Sequence, residues 1–115
     1  MAVTLCVLLT AAPGKELRLV EYEDQVLELL SGHGARLVSR VRSIDPHDAP
    51  QEVHVIEFPS EAALQQYMDD PARLALADLR DAAVASTEVL RVEVVARPAS
   101  SQRPDRQRLP RSRRP

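Results

Sequence analysis

The chain opens with an apolar run, Val3 to Thr10, that stops at Ala11-Ala12-Pro13-Gly14. Its shortness and that stop predict a strand rather than a helix. From Lys15 to Ser31 the period changes: Leu19, Tyr22, Val26, Leu27 and Leu30 recur at helical spacing. Glu16, Glu21, Glu23, Asp24 and Glu28 take most of the remaining face, as in an amphipathic helix. Gly32 or Gly34 supplies its stop, since either can take the left-handed conformation past a helix end. Arg36 to Ser43 alternates, with Leu37, Ser39 and Val41 on one side and Arg36, Val38, Arg40 and Arg42 on the other. This predicts a strand with at least one wet face. A polar loop with two prolines, Ile44 to Pro50, leads to an apolar strand, Val53 to Phe58. Ser60 is placed to cap a helix carried by Ala62, Leu64, Tyr67 and Met68. Asp70-Pro71 reads as a fresh helix start, packed through Leu74, Leu76, Leu79 and Ala83 to about Ala85. Thr87 to Ala96 is the last predicted strand.

The order β-α-β-β-α-β predicts an α+β, ferredoxin-like fold: a four-stranded antiparallel sheet with two helices on one face. In that plan the first and third strands are central and the other two are edges. The composition agrees, because Val3–Leu9 and Val53–Phe58 are nearly apolar on both faces while the expected edges carry the charges. Two helices cover only one face of such a sheet, so its other face needs a second cover. Another copy of the same chain, packed sheet to sheet about a two-fold axis, is the expected one. A homodimer is therefore predicted, a dimeric α+β barrel.

At 115 residues the chain has room for one domain, assigned to residues 1–97. Residues 98–115 differ in kind, with six arginines against Asp105 alone, four prolines and one large apolar residue, Leu109. Such a segment buries too little apolar surface to offset its ordering entropy, so a disordered basic tail is expected. The body is acidic, and the tail has no aromatic residue to stack on bases. Nucleic acid is expected as a partner at most weakly, through the tail. No apolar run approaches the ~18 residues of a membrane span. No Lys or Arg precedes the N-terminal apolar run, unlike a secretion signal, so a cytoplasmic location is expected. The lone Cys6 excludes an internal disulfide and a Cys-rich zinc site. The three glycines, Gly14, Gly32 and Gly34, do not form a phosphate-binding loop. No cofactor or metal is expected.

Several segments together resemble the DUF1330 family of the dimeric α+β barrel superfamily. They are Glu21-Tyr22, the stretch His33 to Arg40, and Val53-His54-Val55-Ile56-Glu57-Phe58-Pro59-Ser60 followed by Ala62, Ala63 and Tyr67. The resemblance spans roughly residues 15–95 and implies the same fold as the periodicity. The family has no settled activity. Its superfamily relatives include cofactor-independent monooxygenases, haem-degrading enzymes and small-molecule isomerases.

Candidate chemistry rests on few residues. His54, on the same strand face as Ile56 and Phe58, can act as a general base or as a packed core residue. No second His or carboxylate is read at ligand spacing around it. Glu57 lies on the opposite face, and Arg40 from the neighbouring strand is its expected partner, in a structural ion pair or at a cleft mouth. There Arg40 would hold a carboxylate or enolate and Glu57 would move a proton. The resemblance places an Arg and a Glu at matching positions. Tyr22 and Tyr67 come one from each helix and either rim a cleft or pack with the hydroxyl at the surface. His33 is read as a helix-end residue, His47 as part of a solvated loop and Cys6 as an inert buried thiol. Two function classes stay open. One is a small-ligand protein carrying out proton transfer or cofactor-free oxidation, with Glu57 and His54 catalytic and Arg40, Tyr22 and Tyr67 binding. The other is a non-catalytic dimerisation or ligand-sensing module whose basic tail supplies the partner contact.

Overall fold

The computed structural model describes residues 1–45 and 47–95. The expected tail, residues 98–115, lies outside the described residues. Strand β1 spans Val3–Ala11 and helix α1 spans Glu16–Leu27, which tightens into a 3-10 segment, Glu28–His33. Then come β2 (Arg36–Arg42), β3 (Glu52–Phe58), α2 (Glu61–Met68), α3 (Pro71–Leu74), α4 (Ala77–Ala83) and β4 (Val84–Val92). The sheet is antiparallel in the order β2-β3-β1-β4, so the first and third strands are central and the ferredoxin-like plan holds.

Local sequence sets most boundaries. Gly34 adopts a left-handed φ of 70° and ends the 3-10 segment, with the Ala35 amide donating to the Leu30 carbonyl at 3.0 Å. The Ser60 hydroxyl accepts from the Ala63 amide at 3.0 Å and caps α2. The Asp70 carboxylate caps Ala72 at 2.8 Å, with Pro71 in the first turn of α3. The expected helix from Pro71 to Ala85 is in fact two short pieces, and Leu74 faces solvent rather than the core. The last strand begins earlier and ends earlier than its side chains suggest. Pairing with β1 decides this: Ala11 draws in Val84, and Thr4 is the last partner, opposite Val92.

The helix-facing side of the sheet forms the core. Val3, Leu5, Ile56 and Phe58 pack against Tyr22, Val26, Leu30 and Tyr67, while Leu9 and Ala11 pack against Leu19 and Ala83. Side chains on the other face alternate with these. There Cys6 lies between Val55 and Leu90, and Leu8 between Val53 and Glu88, with Val41 beside Val53. Among the described residues no helix covers that face, and Leu90 and Val41 are 54% and 55% exposed.

One irregularity changes what β2 presents. Arg36 and Leu37 pair with Glu57 and Ile56, but the register then slips, so that Ser39 pairs with Val55 and Arg40 with His54. Val38 is the extra residue of a bulge. Strict alternation would keep Arg36 and Arg40 on one face. The bulge sends Arg36 to the uncovered face and Arg40 to the helix-facing side.

Candidate functional site

Strand β3 carries Glu52, His54, Ile56 and Phe58 on its helix-facing side, all buried. Glu52 has no exposed side-chain surface. Its carboxylate takes a forked pair from Arg40, Nε to Oε1 at 2.8 Å and Nη2 to Oε2 at 3.1 Å. Arg42 Nε donates to Oε2 at 2.8 Å. The His54 ring adds its Nε2, 2.7 Å from Oε1. Burial alone would raise the Glu52 pKa, but the hydrogen bonds from His54, Arg40 and Arg42 outweigh it and hold the group at about 2. An ionised carboxylate only accepts, so His54 carries its hydrogen on Nε2. Its Nδ1 is left facing α1.

There it meets Glu23, whose Oε1 lies 3.7 Å away. Glu23 is 4% exposed, and among the described residues no hydrogen bond holds its carboxyl. Burial, followed by the charge of Glu52, pushes its pKa up to about 7, against the opposing charges of Arg40 and Arg73. Two glutamates on either side of one imidazole are thus driven in opposite directions, as in sites that divide acid and base roles.

Glu23 and His54 form part of the wall of a cavity of about 220 Å³ between the helices and the sheet. Leu5, Val7, Val26, Ile56 and Phe58 make its lining mostly apolar, and Tyr22, Tyr67 and Arg73 contribute polar atoms. Both tyrosines are buried. Burial raises the Tyr22 phenol and pushes Tyr67 to about 12, so both remain donors at neutral pH. Of the two positions open to them, they take the cleft rather than the surface.

The sequence-derived residues divide accordingly. His54, Tyr22 and Tyr67 come together at the cavity. Arg40 is nearby but acts on Glu52 and, through Nη1, on Asp24 at 2.8 Å. The expected Arg40–Glu57 pair does not form. Glu57 bonds Arg36 at 3.0 Å on the uncovered face, because the Val38 bulge exchanges which arginine reaches it. The reading that no carboxylate neighbours His54 is also corrected. Glu52 sits two residues earlier on the same strand face, and β3 begins one residue sooner than its apolar run. Glu23, read as part of the polar helix face, belongs to the buried stripe with Leu19, Tyr22 and Val26. Its spacing of four from Leu19 was the available signal. His33 does more than close a helix: its Nε2 lies 2.7 Å from Asp70, tying the 3-10 segment to α3. His47 stays in an exposed turn, its amide donating to Asp45 at 2.9 Å. Cys6 is half-buried on the uncovered face. Among the described residues no cluster of three His, Cys, Asp or Glu side chains could hold a metal ion. No helix among them is long and apolar enough to cross a membrane.

Residues 9–95 match DUF1330, a domain of unknown function. The chain belongs to this family. Solved structures share the DUF1330 chain's fold at low identity. PA3566 from Pseudomonas aeruginosa aligns with a TM-score of 0.66 and 18% identity, over 83% of this chain and 95% of that one. A protein from Bacteroides fragilis, described as dimeric, of unknown function and ferredoxin-like, aligns with a TM-score of 0.63 and 15% identity, over 81% and 96% of the two chains. SnoaB from Streptomyces nogalater, described as a cofactor-independent oxygenase, aligns with a TM-score of 0.64 and 12% identity, over 84% and 95%. No curated protein matches the sequence.

The two arginine–glutamate pairs differ in burial, and mutation should separate them. Arg40→Ala strands the buried Glu52 carboxylate and should lower the unfolding free energy by about 3 kcal/mol in urea titrations. Glu57→Ala removes an exposed pair and should change it by less than about 1 kcal/mol. The two buried glutamates also set the pH dependence. Glu23, raised in the folded state, favours folding at low pH, and its contribution is lost as pH rises from 4.5 through about 7. Glu52, lowered in the folded state, contributes above 4.5, and that is lost as pH falls toward about 2. The charged and titratable groups facing Glu23 are Glu52, His54, Arg40, Arg73, Asp24, Tyr22 and Tyr67. Between pH 4.5 and about pH 8, wild type should lose about 3 kcal/mol relative to Glu23→Gln, measured by urea unfolding at each pH.

Proposed function

We propose that this DUF1330 protein takes a small, largely apolar organic molecule into the cavity and moves a proton on it, with Glu23 as the acid–base group. The observation that carries this reading is the Glu23 carboxyl: buried, free of hydrogen bonds among the described residues, and set in an apolar cavity wall beside an imidazole. The carboxyl's pKa of about 7 lies in the range where a general acid–base group works best. As carboxylate, Glu23 takes a proton from a carbon next to a ligand carbonyl. The C–H electron pair moves toward the carbonyl oxygen, and the enolate oxygen accepts a hydrogen bond from Tyr22 or Tyr67. The resulting carboxylic acid then returns the proton to carbon. His54, oriented by Glu52, presents its Nδ1 to Glu23 at 3.7 Å. Arg40 is a positioning residue that acts through Glu52. Glu57 takes no part, being on the far side of the sheet. The oxygenase alternative draws on the fold likeness to SnoaB and on no residue of this chain.

The protein works as a homodimer packed through the uncovered sheet face. Support comes from the exposed Leu90 and Val41 with the half-buried Leu8, Val53 and Val55 beside them, and from the Bacteroides fragilis relative described as dimeric.

Cyclohexanone in D₂O is a suitable probe of the chemistry. Wild type should accelerate loss of its α-proton signals in NMR, and Glu23→Gln should slow the enzyme-dependent rate by at least about 100-fold. Equal rates for the two proteins would overturn the assignment. For the assembly, sedimentation should give twice the 12.8 kDa chain mass for wild type and the single mass for Leu90→Asp.

A further inference from the structure

Among the seven described arginines, six form ion pairs. Arg18 pairs with Glu21, Arg36 with Glu57, Arg40 and Arg42 with Glu52, Arg80 with Asp81, and Arg91 with Glu61. Arg73 has no carboxylate partner among the described residues. It is also the one whose Nε is buried without a hydrogen-bond acceptor. Its Nη1 donates to the Met68 carbonyl at 3.3 Å, and its guanidinium lies 5.3 Å from the centre of the Tyr67 ring. Tyr67 and Arg73 both line the cavity. A buried donor left unmade is costly, and more so where charge is involved. Glu23 lines the same cavity and feels the charge of Arg73, but forms no ion pair with it among the described residues.

We infer that the ligand of this cavity is a small apolar carboxylic acid, its hydrocarbon body among Leu5, Val7, Val26 and Ile56 and its carboxylate on Arg73. The inference rests on the cavity being the binding site and adds the class of molecule. A guanidinium with unspent donors matches a carboxylate in shape and charge. Arg80, also at the cavity, carries the same sign, so a cationic ligand is disfavoured. Size limits the body. At about 220 Å³ the cavity exceeds the ~150 Å³ that admits benzene but falls below the ~300–1,000 Å³ of drug-sized sites. A chain or ring of roughly six to eight carbons fits between these limits. The carbonyl on which Glu23 acts is a second group of the same molecule, which makes an oxo acid the reacting species.

Isothermal titration of the full chain with heptanoate and with heptan-1-ol tests this. Wild type should bind heptanoate at least about tenfold more tightly than the alcohol. Arg73→Gln should erase that preference and leave the alcohol's affinity unchanged. Equal binding of acid and alcohol by wild type overturns the carboxylate inference but leaves the cavity as a binding site. Binding of neither overturns both. A preference that survives in Arg73→Gln overturns the role of Arg73. Should that variant fail to fold, Arg73→Lys decides. A preference reduced at least about threefold supports the guanidinium fork, and an unchanged one overturns it.

Discussion

A glutamate with no exposed side-chain surface stands at the start of a central strand, and the polar half of this protein is arranged around it. Removing a carboxylate from water costs several kcal/mol unless good partners fill its lone pairs. Glu52 has three such partners, and each fixes something else. Arg40, forked onto Glu52, extends its remaining nitrogen to Asp24 and so ties β2 to α1. Arg42 holds the end of the same edge strand. His54 is locked in one tautomer, with its second nitrogen aimed at Glu23. One buried anion therefore sets an edge strand's attachment, a ring's protonation and the polar end of a cavity.

Glu23 and Glu52 have the same side chain and share a neighbour, yet their environments separate their acidities by about five orders of magnitude. Glu52 has spent its hydrogen-bonding capacity and stays charged. Glu23 faces an apolar hollow, makes no hydrogen bond to the imidazole 3.7 Å away, and moves toward neutrality. The first is architecture, while the second has capacity left for a ligand. Arg73, which lines the same cavity, is in the same position among cations. Groups with unspent interactions, one able to exchange a proton and one able to hold an anion, thus converge on a single cavity.

The two faces of the sheet carry different tasks. Helices close one face over the core and the cavity. The other presents Cys6, Leu8, Val53, Val55 and Leu90 with no helix over them among the described residues. The Arg36–Glu57 pair lies on this second face, away from the cavity.

Sequence by itself determined the element order, the central and edge strands, the Ser60 and Asp70 caps and the stop at Gly34. All of these follow from local periodicity and turn chemistry, which act within a few residues. It also brought His54, Tyr22 and Tyr67 forward as candidates, because their positions on apolar faces are periodic. Tertiary structure alone decided which arginine meets which glutamate, since the extra residue at Val38 inverts the face of everything after it and leaves no mark in the alternation. It decided the ends of β4, which are set by the length of β1 rather than by β4's own side chains. It also brought Glu23 to His54. Helical spacing could place that glutamate on the buried stripe, but only the packing of α1 on β3 could give the stripe an imidazole to face.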